Sequence, residues 1–210
     1  MSKNLKKNVI IFDLDGVLID SKKNMFLSWQ AVQKKFNLFD ISFDTYFKKI
    51  GQPFYKILKK ININKNKKKI KECYDSASIL NLKKIKFYKN VKSTLKILKK
   101  RGFILCIVTS KDKKRTKMIT SELENIFSVI QSPEKNLKGK PHPDQINKVI
   151  KILKVKKNEC AYIGDTYIDF QAAKKSKIDF LFAEWGYSKN KKIYKNTIKK
   201  IEDLKKINLF

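Results

Sequence analysis

The apolar positions of this chain fall into short continuous runs separated by stretches with helical spacing. Val9, Ile10, Ile11 and Phe12 form an unbroken β-branched and aromatic run that stops at Asp-Leu-Asp-Gly, residues 13–16. That pattern predicts a strand buried on both faces which delivers carboxylates at its C-terminal end. Comparable runs recur from Phe103 to Val108 ahead of Thr109 and Ser110, from Ser128 to Ile130 ahead of a polar turn, from Cys160 to Ile163 ahead of Gly164 and Asp165, and from Ile178 to Ala183. Between them, Ile146, Val149, Ile150 and Leu153 repeat at i, i+3, i+4, i+7, the stripe of an amphipathic helix. Strands alternating with helices predict an α/β fold built on an open, mainly parallel sheet. Ligands of such sheets bind at the carboxyl ends of the strands.

The interval from about Leu18 to Lys86 breaks the alternation. It has no convincing apolar strand and carries helical spacing through Met25, Trp29, Val32 and Phe36, so it reads as a small helical lobe inserted into the sheet domain. The expected division is residues 1–17 and 87–210 for the α/β core and 18–86 for the insertion. Asn62 to Lys71 reads as an exposed turn running into a solvated helix face. The tail from Lys189 to Phe210 also reads as helical, with Ile193, Ile198, Ile201 and Leu204 available to pack on the core.

Composition narrows the class. With 210 residues and 42% hydrophobic content, the chain can bury a full core without staples. Its apolar runs are strand-length, far short of the roughly 20 residues of a membrane span, and Asp13 interrupts the first before a secretory segment forms. A cytoplasmic location is expected. Cys73, Cys106 and Cys160 make no CxxC pair and have only His142 to join them, so free thiols are expected and His142 reads as a loop residue. The net charge of +31 raises nucleic-acid binding. Against it, only Arg101 and Arg115 are arginine, the residue favoured for bidentate phosphate and base contacts. The lysines are scattered among many Asn and Ile, as a codon bias would leave them, and their field still favours small anions.

Four strand-end elements carry chemistry. Asp13 and Asp15 stand two residues apart after the first strand, and Gly16 lets the backbone turn tightly beneath an anion. One carboxylate can attack phosphorus while the other handles the proton of the leaving oxygen. Val-Thr-Ser-Lys at 108–111 places hydroxyls of Thr109 and Ser110 at the same edge, although Thr-Ser after a strand also suits a helix cap. Gly139-Lys140-Pro141 supplies a placed cation, Lys140, able to keep Asp13 ionised. Asp165 and Asp169, after the run at 160–163, are hard oxygen ligands of the kind magnesium takes. Ile50-Gly51-Gln52-Pro53 is a candidate insertion loop facing the site, with Gly51 and Gln52 in reach of substrate; an ordinary interhelical turn explains it equally well.

DLDGVLIDS, VTSK, GKPHPD and GDTYIDFQAA in this order, with Trp185-Gly186-Tyr187 near the end, resemble the haloacid dehalogenase superfamily over nearly the whole chain. The closest likeness is to its helical-cap branch of phosphoglycolate phosphatases and β-phosphoglucomutases. The resemblance implies a Rossmann-like core with a small α-helical cap, a Mg2+ cofactor and a small phosphorylated metabolite as substrate. It implies Asp13 as nucleophile and metal ligand, Asp15 as acid/base and ligand through its carbonyl, Thr109 and Lys140 at the phosphate, Asp165 on the metal and Asp169 in support. An acid at Asp15 favours phosphoryl transfer over dehalogenation. Lys89-Asn90-Val91 departs from the Pro-Gly-Val usual in relatives and puts a local turn in question. The implied activity is a phosphatase working through an aspartyl-phosphate. A mutase using the same core residues and, from another class, a basic nucleic-acid-binding protein are the alternatives. Substrate identity and oligomeric state are left open.

Overall fold

The computed structural model describes residues 8–123, 125–188, 190 and 193–206. The first apolar run becomes β1 (Val9–Phe12), wholly buried because strands flank it on both edges and helices cover both faces. It pairs in parallel with β4 (Ile104–Val108) and with β6 (Cys160–Gly164). β5 (Val129–Gln131) extends the sheet beyond β4, and β7 (Asp179–Ala183) and β8 (Thr197–Ile198) extend it beyond β6, in the order β5-β4-β1-β6-β7-β8 with every pair parallel.

Alternate residues of β1 serve the two faces, as the period of a strand requires. Ile10 and Phe12 join a cluster with Leu95 and Leu98 of α5 (Val91–Lys100) and with Ile201 and Leu204. Val9 and Ile11 join another with Ile146 and Val149 of α7 (Asp144–Leu153) and Ala172 and Ala173 of α8 (Tyr167–Ser176). After β1 the chain builds outward through β4, α6 (Lys113–Thr120) and β5, then crosses β1 to continue with β6 and β7. That reversal sets a switch point beside β1, where the carboxyl ends of neighbouring strands open a crevice.

Between β1 and α5, β2 (Ile19–Asp20) and β3 (Lys86–Phe87) pair antiparallel. They bracket α1 (Lys22–Phe36), α2 (Phe43–Phe47), α3 (Phe54–Lys60) and α4 (Lys67–Leu80). The helical expectation holds here; the paired strands at its ends are two residues each, too short to leave an apolar run. These helices own a separate cluster around Trp29, Val32, Tyr46, Leu58 and Ile70. Trp29 is fully buried, stacks on Tyr46 at 4.6 Å, and satisfies its indole N–H by donating to the Ile41 carbonyl at 3.0 Å. Its burial therefore keeps the apolar gain of roughly 25 cal/mol per Å² without an unpaired polar group.

Two local expectations are revised. The tail is not one helix: Thr197–Ile198 adds a strand to the open edge of β7, and Ile201–Lys205 forms a 3-10 turn. Residues 189, 191, 192 and 207–210 of that reading lie outside the described residues. At the departure from Pro-Gly-Val, Asn90 adopts φ 65° immediately before α5. Asn is among the side chains that best tolerate this left-handed conformation, so the chain turns here without a glycine.

Candidate active site

Asp13, Thr109 and Asp165 follow β1, β4 and β6, and main-chain hydrogen bonds carry the sheet one step further to fix them. The Asp13 N–H donates to the Ile163 carbonyl at 2.9 Å and the Thr109 N–H to the Gln131 carbonyl at 3.0 Å. Lys140, in the loop before α7, enters beneath these ends and is fully buried. Its ammonium lies 2.8 Å from Asp13 Oδ1 and 2.6 Å from Asp169 Oδ1, and donates to the Tyr162 hydroxyl at 3.1 Å. Burial works against the ammonium, but the charges of Asp13 and Asp169 outweigh it and hold its pKa well above the ordinary lysine value. Lys140 is thus a permanent cation.

Asp13, Asp165 and Asp169 are buried and can offer oxygens that lie within 4.8 Å of one another. Their roles separate by partner. Both oxygens of Asp169 are engaged: Oδ1 by Lys140, and Oδ2 by the Thr166 N–H at 3.1 Å and the Thr166 hydroxyl at 2.5 Å, a capping box that starts α8. Asp165 accepts the Tyr187 N–H on Oδ2 at 2.7 Å, whereas its buried Oδ1 has no hydrogen-bond partner among the described residues. A Cβ on Gly16 would stand 2.3 Å from Asp165 Oδ2, and one on Gly186 2.2 Å from Asp165 Cβ. Only glycines let the backbone close on this carboxylate from both sides. An unpartnered buried oxygen facing a second carboxylate is a fit for a hard divalent cation.

Charge gathered this tightly shifts titration. Burial, chiefly, pushes Asp13 up to about 7 from 3.8; Lys140 opposes this and Asp169 adds to it. Asp165 is raised well above the carboxylate range by burial and then by Asp169 and Asp13. A folded-state pKa above the unfolded one means the folded chain binds the extra proton, so this stability is full below about pH 4 and is lost as pH rises through 7. A cation needs the deprotonated ligands. Mg2+ is therefore expected to raise the urea-unfolding midpoint clearly at pH 8 and little at pH 5.5. An equal shift at both values would refute the cluster as its site.

Asp15 is half-buried, and its Oδ1 accepts the Ser21 hydroxyl at 2.5 Å and faces the Lys111 ammonium at 3.1 Å. Gly16 has φ +85° and its N–H is taken by the Ile19 carbonyl at 2.9 Å, so what it contributes here is close approach to Asp165. The Thr109 hydroxyl accepts the Lys111 N–H at 3.1 Å, which leaves its own hydrogen to donate. Asp112, not Thr109 or Ser110, caps α6. The Ser110 hydroxyl donates to the Gly51 carbonyl at 3.0 Å, seating the loop between α2 and α3 on the core. Gly51 and the buried Gln52 accordingly face the site. A pocket of about 70 Å³ results, with Asp13, Asp15 and Thr109 on its floor and Met25, Tyr46, Ile50, Gly51, Gln52 and Tyr74 above.

Sequence reasoning assigned no role to Lys111, Arg115, Ser21 or Tyr187, all of which the fold brings here. Arg115 lines the pocket, bonds Asp112, and reaches Asp75 of α4 at 2.8 Å, so it ties the core to the insertion. Its one signal was being an arginine in a chain whose basic residues are otherwise almost all lysine. His142 does not line the pocket.

The chain is similar to known proteins along nearly its whole length. The chain is 31% identical over 203 residues to a phosphoglycolate phosphatase of Aquifex aeolicus, covering 95% of each. It is 25% identical to a pyrophosphatase of Bacillus mycoides, over 86% of this chain and 85% of that one. Among solved structures, a haloacid dehalogenase-like family hydrolase of Streptococcus pneumoniae superposes with a TM-score of 0.82 at 20% identity, over 94% of this chain and 96% of that one, a likeness of fold. Residues 10–183 match the haloacid dehalogenase-like hydrolase family, and with the strand-end acids and lysine in place, the chain belongs to that family.

Proposed function

We propose that the chain is a Mg2+-dependent phosphatase of the phosphoglycolate phosphatase type, hydrolysing a small phosphorylated metabolite through an aspartyl-phosphate on Asp13. The observation that carries this reading is a buried Asp13 paired with Lys140 at 2.8 Å, beside an Asp165 oxygen left without a partner among the described residues. Residues 1–17 and 87–210 form the catalytic core in this reading, and 18–86 its cap. No helix among the described residues is long and apolar enough to cross a membrane. Cys73, Cys106 and Cys160 form no disulfide, which suits a reducing cytoplasmic setting.

Asp13, Asp165 and the main-chain carbonyl of Asp15 would hold the cation, with Asp169 and Lys140 behind them. When bound, Mg2+ neutralises the phosphoryl charge and relieves repulsion among the carboxylates. Asp13 attacks phosphorus in line while Thr109 donates to a phosphoryl oxygen and Lys140 keeps the nucleophile ionised. Ser110, whose hydroxyl is given to Gly51, and Gly16, whose N–H is taken by Ile19, shape the phosphate side without donating to it. Asp15 gives its proton to the departing oxygen, then takes one from the water that cleaves the acyl-phosphate. Gly51 and Gln52 select the leaving group, and the small pocket under them supports a compact substrate.

The test is release of inorganic phosphate from phosphoglycolate, sugar phosphates, nucleoside monophosphates and pyrophosphate, with Mg2+ and with chelator. Release that needs Mg2+ and disappears in Asp13→Asn is expected. Isomerisation of a sugar phosphate without release would replace the phosphatase with a mutase, and inertness toward the whole panel would sink the reading.

A further inference from the structure

Tyr187 joins parts of the site that are far apart in sequence. Its main-chain N–H holds Asp165 at 2.7 Å, and its phenol oxygen accepts the main-chain N–H of Ser21 at 2.7 Å. Ser21 is wholly buried and gives its only hydroxyl hydrogen to Asp15 at 2.5 Å. The phenol, 3.2 Å from Ser21 Oγ and 3.4 Å from Asp20 Oδ1, has one hydrogen, which it can give to either of them. On its other side the ring meets Phe47 of α2 edge-on, with centroids 5.1 Å apart.

We propose that Tyr187 is a positioning residue for Asp15: it fixes Ser21, which aims the carboxyl at the leaving-group oxygen, and it takes its own setting from the insertion through Phe47. The proposal rests on the phosphatase reading. In that reaction the Asp13–phosphorus bond forms as the ester P–O bond breaks, and the Asp15 proton passes to the departing oxygen. An aliphatic alkoxide needs that proton, whereas p-nitrophenolate departs without it. Loss of aim at Asp15 therefore shows on one ester and not on the other.

Tyr187→Phe keeps the ring and the main-chain contact to Asp165 but removes the phenol. The readout is kcat/KM with Mg2+, which reports steps through P–O cleavage. It is compared for p-nitrophenyl phosphate and for phosphoglycolate or glucose 6-phosphate, whichever the parent enzyme turns over faster. We expect about a ten-fold loss on the aliphatic ester and less than about two-fold on the aryl ester, the scale of one hydrogen bond. Adding Ser21→Ala to Tyr187→Phe should cost little more on the aliphatic ester, because both act along one chain of bonds. Phe47→Leu, which leaves the phenol in place, should give a smaller split in the same direction, and it decides the matter if Tyr187→Phe does not fold. Equal losses on both esters, or none, overturn the proposal. A parent enzyme inert toward every ester overturns the phosphatase reading first.

Discussion

Asp13→Asn is expected to lower phosphate release by roughly ten-thousand-fold or more, the scale of deleting a covalent nucleophile, while leaving the cation-free protein at least as stable as the parent at pH 8. The two effects come from one cause. Burial lifts Asp13 to about 7, so ionising it at pH 8 costs the folded state about 1.4 kcal/mol for each unit its pKa is raised. The amide has the same shape, can still accept from Lys140, and carries no charge to desolvate. A residue kept for packing would behave oppositely, since its replacement would cost stability and spare chemistry. Phosphate assays with Mg2+, and thermal unfolding in chelator at pH 8, read the two quantities separately. Retention of more than a few per cent of parental activity would remove Asp13 from the nucleophile's role, and a clear drop in melting temperature would refute the cost assigned to its buried charge.

What the sequence showed and what it hid differ by range. The strands were legible because a parallel sheet buried on both faces demands continuous apolar runs, and Val9–Phe12 and Cys160–Gly164 are such runs. The site acids were legible because strand ends leave them only one place to go. The tail misled because Ile198, Ile201 and Leu204 satisfy helical spacing while the fold offered the open edge of β7, and pairing there outweighed local pattern. The link from Tyr187 to Ser21 spans 166 positions, and that from Arg115 to Asp75 joins core to insertion. No local period encodes such contacts. They follow only once the insertion is folded back over the strand ends.

Lys140→Met tests the other half of the buried pair. Methionine matches the length of the lysine stem, so the pocket stays filled, but Asp13 Oδ1 and Asp169 Oδ1 lose the ammonium 2.8 and 2.6 Å away. Breaking a buried ion pair from one side costs about 3–5 kcal/mol, a large share of the roughly 5–15 kcal/mol that holds a protein folded. Protonation is the escape open to the stranded Asp13, so the loss should be heaviest at pH 8 and shrink toward pH 5.5, where Asp13 is already protonated. Mg2+ at pH 8 should restore part of it by supplying positive charge to the same cluster. Activity should fall by on the order of a hundred-fold or more even where the variant is fully folded, because the phosphoryl charge loses a preorganised cation. Lys140→Arg should not rescue either property, since a planar fork does not fit a fully buried site shaped around a single ammonium. Urea unfolding at both pH values and kcat/KM at pH 7 separate the two effects. A variant within about 1 kcal/mol of the parent at pH 8 would show that Asp13 and Asp169 do not depend on Lys140, and the electrostatic design inferred for the site would be wrong.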